Sequence, residues 1–219
     1  MTDRTSTGDV GDLQRDARAR RESAKRLLVE LRLVEQWQRY GEVELTGSYR
    51  WDLMLGSDID LNVVNPAVDL DLALSIFSQF VRDGDFLAFA FIDSVRGKPA
   101  WADPASYPDG YYFGMARHFE GQEWKVETWL RRSPAPREDW LEGGITDKQR
   151  LSILQLKQLR NSGHLQASSY DIYRAVILGG ARDAAAARQW LRKEQEAKAN
   201  VAAPDPSEAQ TAAIHDRAR

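Results

Sequence analysis

The chain of 219 residues contains no cysteine. This absence excludes disulfide bonds, thiolate nucleophiles and zinc sites with sulfur ligands. The three histidines, His118, His164 and His215, stand far apart and lack the spacing of metal ligands. No apolar run approaches the roughly 18 residues of a membrane-spanning helix, and the N-terminal stretch has no apolar core of a secretion signal. We therefore expect a cytoplasmic protein with no membrane partner.

Charge is distributed unevenly along a chain of ordinary globular composition, with 42% hydrophobic and 29% charged residues. Residues 41–109 carry twelve acids against four lysines and arginines, whereas residues 131–200 carry thirteen lysines and arginines against eight acids. Two interpretations of the basic C-terminal part stay open: an ordinary helix surface, or a surface that binds anions.

The order of predicted elements indicates an α/β or α+β fold, a mixed-sheet core followed by a C-terminal helical domain. Hydrophobic periodicity predicts one or two helices over 11–40 and a helix over 69–83. Five strands are predicted near 43–49, 57–65, 86–95, 110–119 and 123–132, the last two as a hairpin. Capping boxes at Thr146 and Ser168 open two further helices, and a third follows over 182–198. The predicted domains are 1–136 with the N-terminal helix, 137–200, and a flexible tail over 201–219.

Two aspartates stand close together in the stretch "GSYRWDLMLGSDIDLNVV", residues 47–64. Because side chains alternate along a strand, Asp58 and Asp60 share one face, while Ile59 and Leu61 point into the core. Two neighbouring like charges are costly unless a cation offsets them. A carboxylate pair suits Mg²⁺, which takes its remaining ligands from water and substrate phosphates. The alternative is a surface strand with two solvated acids.

A Gly-Ser pair precedes these aspartates. Gly47 permits a turn and a close approach of the backbone to a ligand. Backbone N–H groups at such a turn, together with the Ser48 hydroxyl, can face phosphate oxygens. The stretch therefore combines a candidate metal site with a candidate phosphate site.

This combination resembles the nucleotidyltransferase superfamily that includes DNA polymerase β, and is closest in style to the small aminoglycoside and lincosamide nucleotidyltransferases. The matching residues are Gly47-Ser48 and Asp58-Ile59-Asp60, within a resemblance that covers about 41–130. The family places a third carboxylate, usually aspartate, on a later strand, and "WKVETWL" offers Glu127 there. Glu127 could instead pair with Lys125 on an edge strand, and Asp93 is a rival third carboxylate.

The resemblance implies a Mg²⁺-dependent transferase that moves a nucleoside monophosphate from a nucleoside triphosphate, expected to be ATP, to a hydroxyl and releases pyrophosphate. Asp58, Asp60 and Glu127 would hold two Mg²⁺ ions. Glu127 would also take the proton of the attacking hydroxyl or orient that hydroxyl.

Two cationic side chains are candidates for the triphosphate. Arg50 follows the Gly-Ser pair directly. Lys157 lies on the helix that opens at Thr146, and we expect it to contact the β- or γ-phosphate. The alternative for Lys157 is a solvated side chain on the outer stripe of that helix.

The acceptor stays open at the level of sequence. A small molecule such as an aminoglycoside antibiotic is expected, which would make the chain a resistance enzyme, with Asp103 and Asp109 near the cationic acceptor. One alternative is a toxin-type enzyme that modifies tRNA or a protein through the basic C-terminal part. Another is an inactive relative that only binds nucleotide. Several aromatic residues could stack on a base or line the acceptor site, or simply belong to the core: Trp101, Tyr107, Tyr111, Tyr112, Trp124, Trp129 and Trp140.

Overall fold

A computed structural model describes residues 10–100, 107–135 and 139–202. The chain forms two compact units that divide between Ile145 and Thr146. The short helix α5 (Asp139–Glu142) therefore belongs to the first unit, although the sequence prediction placed the division at 136 and 137. The predicted flexible tail lies outside the described residues from position 203 onward.

The first unit contains a five-stranded mixed sheet. Its strands are β1 (Glu42–Thr46), β2 (Asp58–Val64), β3 (Ala88–Asp93), β4 (Tyr111–Phe119) and β5 (Gln122–Arg131). Their spatial order is β1-β2-β5-β4-β3, with β2 and β5 parallel and the other neighbouring pairs antiparallel. The predicted mixed α+β fold is confirmed, and the parallel pair brings two distant segments of sequence side by side.

One face of the sheet packs against helices to form the core. The helices are α1 (Val10–Glu30), α2 (Leu33–Gln38) and α4 (Leu70–Asp83). Trp37 is fully buried between Phe80 and Phe113, with ring centroids 4.9 and 5.0 Å away. The opposite face carries Asp58, Asp60, Tyr112, Glu127 and Trp129, and we call it the polar face.

Local sequence explains where several helices begin and end. The N-terminal helical region divides in two because Arg32 adopts a left-handed conformation with φ 47°. Helix α4 begins after Asp69, whose carboxylate accepts a hydrogen bond of 2.8 Å from the Leu72 amide. The single turn α3 (Gly47–Arg50) follows β1 directly.

Up to residue 202, where the description of the chain ends, the second unit contains three helices: α6 (Asp147–Asn161), α7 (Ser169–Ile177) and α8 (Ala184–Ala202). Both predicted capping boxes are present. Thr146 and Gln149 exchange side-chain and backbone hydrogen bonds at the start of α6, and Ser168 and Asp171 do so at the start of α7. Among the described residues, no helix combines the length and apolar character needed to cross a lipid bilayer.

Helix α1 is tied to the hairpin turn between β4 and β5 by one carboxylate. Glu120 accepts hydrogen bonds from Arg26 (2.7 Å) and from the Ser23 hydroxyl (2.7 Å). The hydrogen bond from Arg26, then that from Ser23, lowers the Glu120 pKa from about 4.5 to about 2. A carboxylate with a lowered pKa stabilises the fold above its unfolded-state pKa, and this contribution is lost as the pH falls through the folded-state value.

We therefore expect Glu120→Gln to be less stable than the wild type at pH 7, and the difference to shrink as the pH falls from about 4.5 toward about 2. Urea unfolding followed by tryptophan fluorescence at a series of pH values measures this. Glu123→Gln, an exposed substitution on the adjoining strand β5, is the control for loss of one negative charge. Equal stability of Glu120→Gln and wild type at pH 7 would contradict the prediction.

Candidate active site

The two aspartates of β2 lie on the polar face, as the alternation of the strand predicts. Ile59, Leu61 and Val63 are at most 1% exposed and belong to the core. Asp58 and Asp60 are half-buried on the other face. The strand thus anchors itself through its apolar residues and presents two carboxylates from one rigid element.

Each carboxylate lies against a glycine. Gly47 has φ +60°, and a Cβ atom there would collide with the Asp60 carboxylate. A Cβ atom on Gly56 would collide with Oδ1 of Asp58. A side chain at either position would therefore force the neighbouring carboxylate to move, and at Gly47 it would also strain the left-handed backbone. The role of Gly47 was predicted as a turn, whereas that of Gly56 was missed, and its only signal in the sequence is its place two residues before Asp58.

Ser48 is buried next to this arrangement. It is 4% exposed, and its hydroxyl has no hydrogen-bond partner among the described residues. A buried hydroxyl without a partner is unfavourable unless a ligand or water satisfies it. The Gly-Ser turn thus holds a polar group that is available to a bound oxygen atom.

The loop between this turn and β2 is fixed at several points. Leu53 and Met54 are fully buried, and the Leu53 amide donates a 2.9 Å hydrogen bond to the Ser48 carbonyl. From helix α1, Arg21 donates to the Tyr49 carbonyl (3.0 Å), and Arg20 donates to the Ser57 hydroxyl (3.2 Å). Helix α1 therefore positions both ends of the segment that carries the Gly-Ser turn and the aspartates.

Glu127 lies beside the aspartates. It is half-buried on β5 and is the register partner of Asp60, while Lys125 is the partner of Asp58. Strand β5 lies between β2 and β4, so the alternative of Glu127 as an edge-strand residue is wrong. The rival Asp93 stands on the edge strand β3, with β5 and β4 between it and β2, and accepts a hydrogen bond from the Val95 amide.

Tyr112 lies near Glu127. Its pKa is raised above the ordinary tyrosine value first by burial, then by the negative charge of Glu127, with a smaller effect of Asp60. The phenol therefore stays protonated at physiological pH. The sequence prediction treated Tyr112 only as one of several aromatics and missed this placement.

The carboxylates at this site are compatible with Mg²⁺, a cation that prefers oxygen ligands. Within the described segments, no three histidine, aspartate or glutamate side chains lie close enough together to hold a metal ion. The predicted cluster of three carboxylates is therefore not preformed. Asp58 and Asp60 fit a magnesium ion that takes its other ligands from water and substrate phosphates.

The two predicted phosphate ligands have contacts of their own. Arg50 forms an ion pair with Glu44 on β1, and its guanidinium lies 4.9 Å from the ring centre of Trp51. Lys157, in the second unit, is 3% exposed and its ammonium lies 3.4 Å from the Tyr173 hydroxyl. The alternative of a solvated Lys157 is therefore wrong.

Three aromatic side chains form a cluster on the polar face beside Glu127. Trp129 is 5.3 Å from Tyr112 and 5.2 Å from Tyr107, measured between ring centroids. Trp124 and Tyr111 instead belong to the core. Trp101 and Asp103 lie outside the described residues, and Asp109, the other predicted acceptor contact, pairs with Lys98.

The chain is similar in fold to a solved structure. Neither a protein family nor a curated protein matches the sequence. A chain of the non-canonical poly(A) polymerase complex GLD-2 – GLD-3 matches the fold with a TM-score of 0.51 at 13% identity. The match covers 75% of this chain and 57% of that chain, and it gives no support to an antibiotic-modifying subclass. The likeness shows that the chain has a nucleotidyltransferase-like fold.

Proposed function

We propose that the chain is a Mg²⁺-dependent nucleotidyltransferase that transfers a nucleoside monophosphate from a nucleoside triphosphate to a hydroxyl group. The observation that carries the proposal is the placement of Asp58 and Asp60, each against a glycine, on one face of β2 and next to the buried Ser48 hydroxyl. The likeness in fold to a poly(A) polymerase complex supports the same reaction class.

The residues of this chain would have separate roles in the reaction. Asp58 and Asp60 would hold Mg²⁺ beneath the triphosphate, while Gly47 and Ser48 would face its oxygens. When bound, Mg²⁺ would neutralise charge on the triphosphate. The Glu127 carboxylate would accept the proton of the attacking hydroxyl. The acceptor oxygen bonds to the α-phosphorus as the bond to pyrophosphate breaks. The protein would contribute to this step mainly by positioning the reactants and by neutralising charge.

Arg50 is proposed as a further phosphate ligand. It is 45% exposed and would exchange its partner Glu44 for a phosphate oxygen. An exposed ion pair contributes only about 0–1 kcal/mol, so this exchange is energetically accessible. Arg50 therefore acts in the proposal as a cation that a bound triphosphate recruits.

A small molecule with a free hydroxyl, such as an aminoglycoside, is the acceptor we propose first, because in the described part of the chain one helical unit follows the sheet unit. RNA, including tRNA, is the second candidate. The aromatic cluster of Tyr107, Tyr112 and Trp129 favours it, because aromatic rings stack on bases.

The proposal is tested by incubating the purified chain and Mg²⁺ with each of four α-labelled nucleoside triphosphates. Aminoglycosides, bulk tRNA or protein are added as acceptors. A labelled aminoglycoside supports the first acceptor, whereas labelled tRNA with steep salt dependence supports the second. Labelled protein would support a toxin-type enzyme. Nucleotide binding without transfer to any acceptor would overturn the proposal in favour of an inactive relative.

For Lys157 we expect that substitution by methionine, which keeps length and removes charge, raises the KM for ATP about tenfold, the effect of one lost charge-assisted contact. Steady-state kinetics measure this. Tyr173→Phe is the matched control, because it removes the hydroxyl beside Lys157 and keeps the ring. If Lys157 serves only the packing of its own unit, both substitutions lower the unfolding temperature and leave the KM unchanged.

A further inference from the structure

The aromatic cluster of Tyr107, Tyr112 and Trp129 stands on the polar face of the sheet rather than in the core. Tyr112 and Trp129 are register partners on β4 and β5 with ring centroids 5.3 Å apart, and Tyr107 packs edge-to-face on Trp129. All three side chains are only half-buried, so part of each stays exposed. Exposed aromatic rings of this kind offer a platform on which a flat ring can stack.

Strand β5 presents three different chemical groups in succession on this face. Glu127, Trp129 and Arg131 are half-buried, whereas the residues between them are buried on the core face. Neighbouring residues on one face of a strand are about 7 Å apart. The polar face of β5 therefore carries a carboxylate beside Asp60, then an aromatic ring, then a guanidinium group.

The Arg131 side chain has a donor without an acceptor. Its Nε atom is buried and finds no hydrogen-bond partner among the described residues. The carboxylate of Asp109, in the segment before β4, is paired with Lys98. A buried donor is unfavourable unless a ligand or water accepts its hydrogen bond. Phosphate is a ligand that suits a guanidinium group, because its oxygens match the donors in geometry and charge.

Further cations lie at the end of the sheet where β5 ends. Because β4 is antiparallel to both β3 and β5, the segments 93–100, 107–111 and 131–135 meet at this end. In these segments four cationic residues stand against two acidic ones: Arg96, Lys98, Arg131 and Arg132, with Asp93 and Asp109. A net positive charge beyond an aromatic platform fits a ligand with several successive phosphates better than one with a single phosphate.

We infer that Tyr112, Trp129 and Arg131 form the acceptor subsite and that it binds the 3′ end of a single-stranded RNA. The terminal base stacks on the rings of Trp129 and Tyr112, a backbone phosphate binds Arg131, and the terminal hydroxyl faces Glu127. This inference rests on the proposed nucleotidyl transfer and names its acceptor. Of the two acceptors proposed above, an aminoglycoside is cationic and would be repelled by Arg131, whereas RNA supplies both a flat ring and phosphates.

Binding of a short fluorescein-labelled single-stranded RNA, measured by anisotropy without nucleoside triphosphate, tests the subsite apart from catalysis. Trp129→Leu removes the ring and is expected to raise the Kd about tenfold, the effect of one lost stacking contact. Arg131→Gln is expected to raise the Kd similarly and to reduce the slope of log Kd against log salt concentration by about 0.7, the value for one lost phosphate contact.

Matched controls are Arg132→Gln and Trp190→Leu. Arg132 is next to Arg131 but donates to the Val68 carbonyl, and Trp190 packs on Arg174 in the second unit. Trp129→Phe keeps a stacking ring, so it should bind RNA nearly as well as wild type while RNA quenches less of its tryptophan fluorescence. If wild type fails to bind RNA, or if Trp129→Leu and Arg131→Gln bind it as tightly as the controls do, the subsite is wrong.

Transfer kinetics separate this inference from the proposed function. With RNA as acceptor, Trp129→Leu should raise the KM for RNA about tenfold and leave the KM for the nucleoside triphosphate unchanged. Transfer to an aminoglycoside by a chain that does not bind RNA overturns the RNA subsite, while nucleotidyl transfer stands. RNA binding that depends on Trp129 and Arg131 without transfer to any acceptor supports the subsite and overturns the proposed reaction.

Discussion

Asp58→Asn and Asp60→Asn are each expected to lower the rate of nucleotidyl transfer by about 10³-fold or more. A metal ion contributes several kcal/mol of charge stabilisation to such a transition state, and each 1.36 kcal/mol corresponds to a factor of ten. An amide keeps the shape of the side chain and removes the charge that attracts Mg²⁺. The rate of label transfer at saturating Mg²⁺ measures the effect.

The same substitutions are expected to leave the free fold intact. Asp58 and Asp60 are both half-buried on one face of β2, so without a cation their charges repel each other. Removing one charge relieves this repulsion, which is about 1 kcal/mol for two unit charges about 4 Å apart in water. Thermal unfolding without Mg²⁺ should therefore show an equal or higher midpoint, in contrast to the lost activity.

Asp93→Asn is the control for these variants. Asp93 is also at a strand end in the same sheet, but β5 and β4 separate its strand from β2. Asparagine retains an oxygen that can accept the hydrogen bond from the Val95 amide. Activity should be unchanged in this variant. Asp58→Asn or Asp60→Asn with more than about a tenth of the wild-type rate would contradict a role in metal binding.

Local sequence rules predicted the parts of the structure that depend on neighbours in the chain. The alternation of β2 placed Asp58 and Asp60 on one face because the period of a strand leaves no other arrangement once Ile59 and Leu61 are buried. The capping box at Thr146 fixed the start of α6 for a similarly local reason. Most strands and helices were therefore found near their predicted positions.

Tertiary arrangement set the remaining features. The register of β2 against β5 decides that Glu127 rather than Asp93 stands beside Asp60, and no short-range pattern encodes a parallel pairing between distant strands. The same holds for Gly56, whose requirement becomes visible only where the Asp58 carboxylate lies. Tyr112 was missed because its position near Glu127 depends on the register of β4 against β5. The chemical role of a residue was thus predictable from its type, whereas its neighbours in the folded chain were not.

Gly47→Ala is expected to damage both stability and activity. Its left-handed backbone, with φ +60°, costs a residue with a Cβ atom about 1–2 kcal/mol. In addition, the new methyl group would occupy the space of the Asp60 carboxylate, so that carboxylate must move. A displacement of about 1 Å at a catalytic group can cost about 10²-fold in rate.

Gly121→Ala separates these two effects. Gly121 also has a left-handed backbone, with φ +76°, but a Cβ atom there meets no atom of the described residues within 4 Å. We therefore expect Gly121→Ala to lose about the same backbone free energy, about 1–2 kcal/mol, and to keep its rate of transfer. Comparison of the two variants isolates the contribution of the contact with Asp60.

Both variants are compared by urea unfolding and by transfer kinetics. Mn²⁺, bound in place of Mg²⁺ as a paramagnetic probe, measures the affinity of the site for metal. Gly47→Ala should bind Mn²⁺ more weakly than Gly121→Ala, because the Asp60 carboxylate is displaced from its place on the same face of β2 as Asp58. If Gly47→Ala and Gly121→Ala lose the same stability, bind Mn²⁺ with the same affinity and transfer at the same rate, then Gly47 serves only the turn. The close approach of Gly47 to Asp60 would then have no part in building the site.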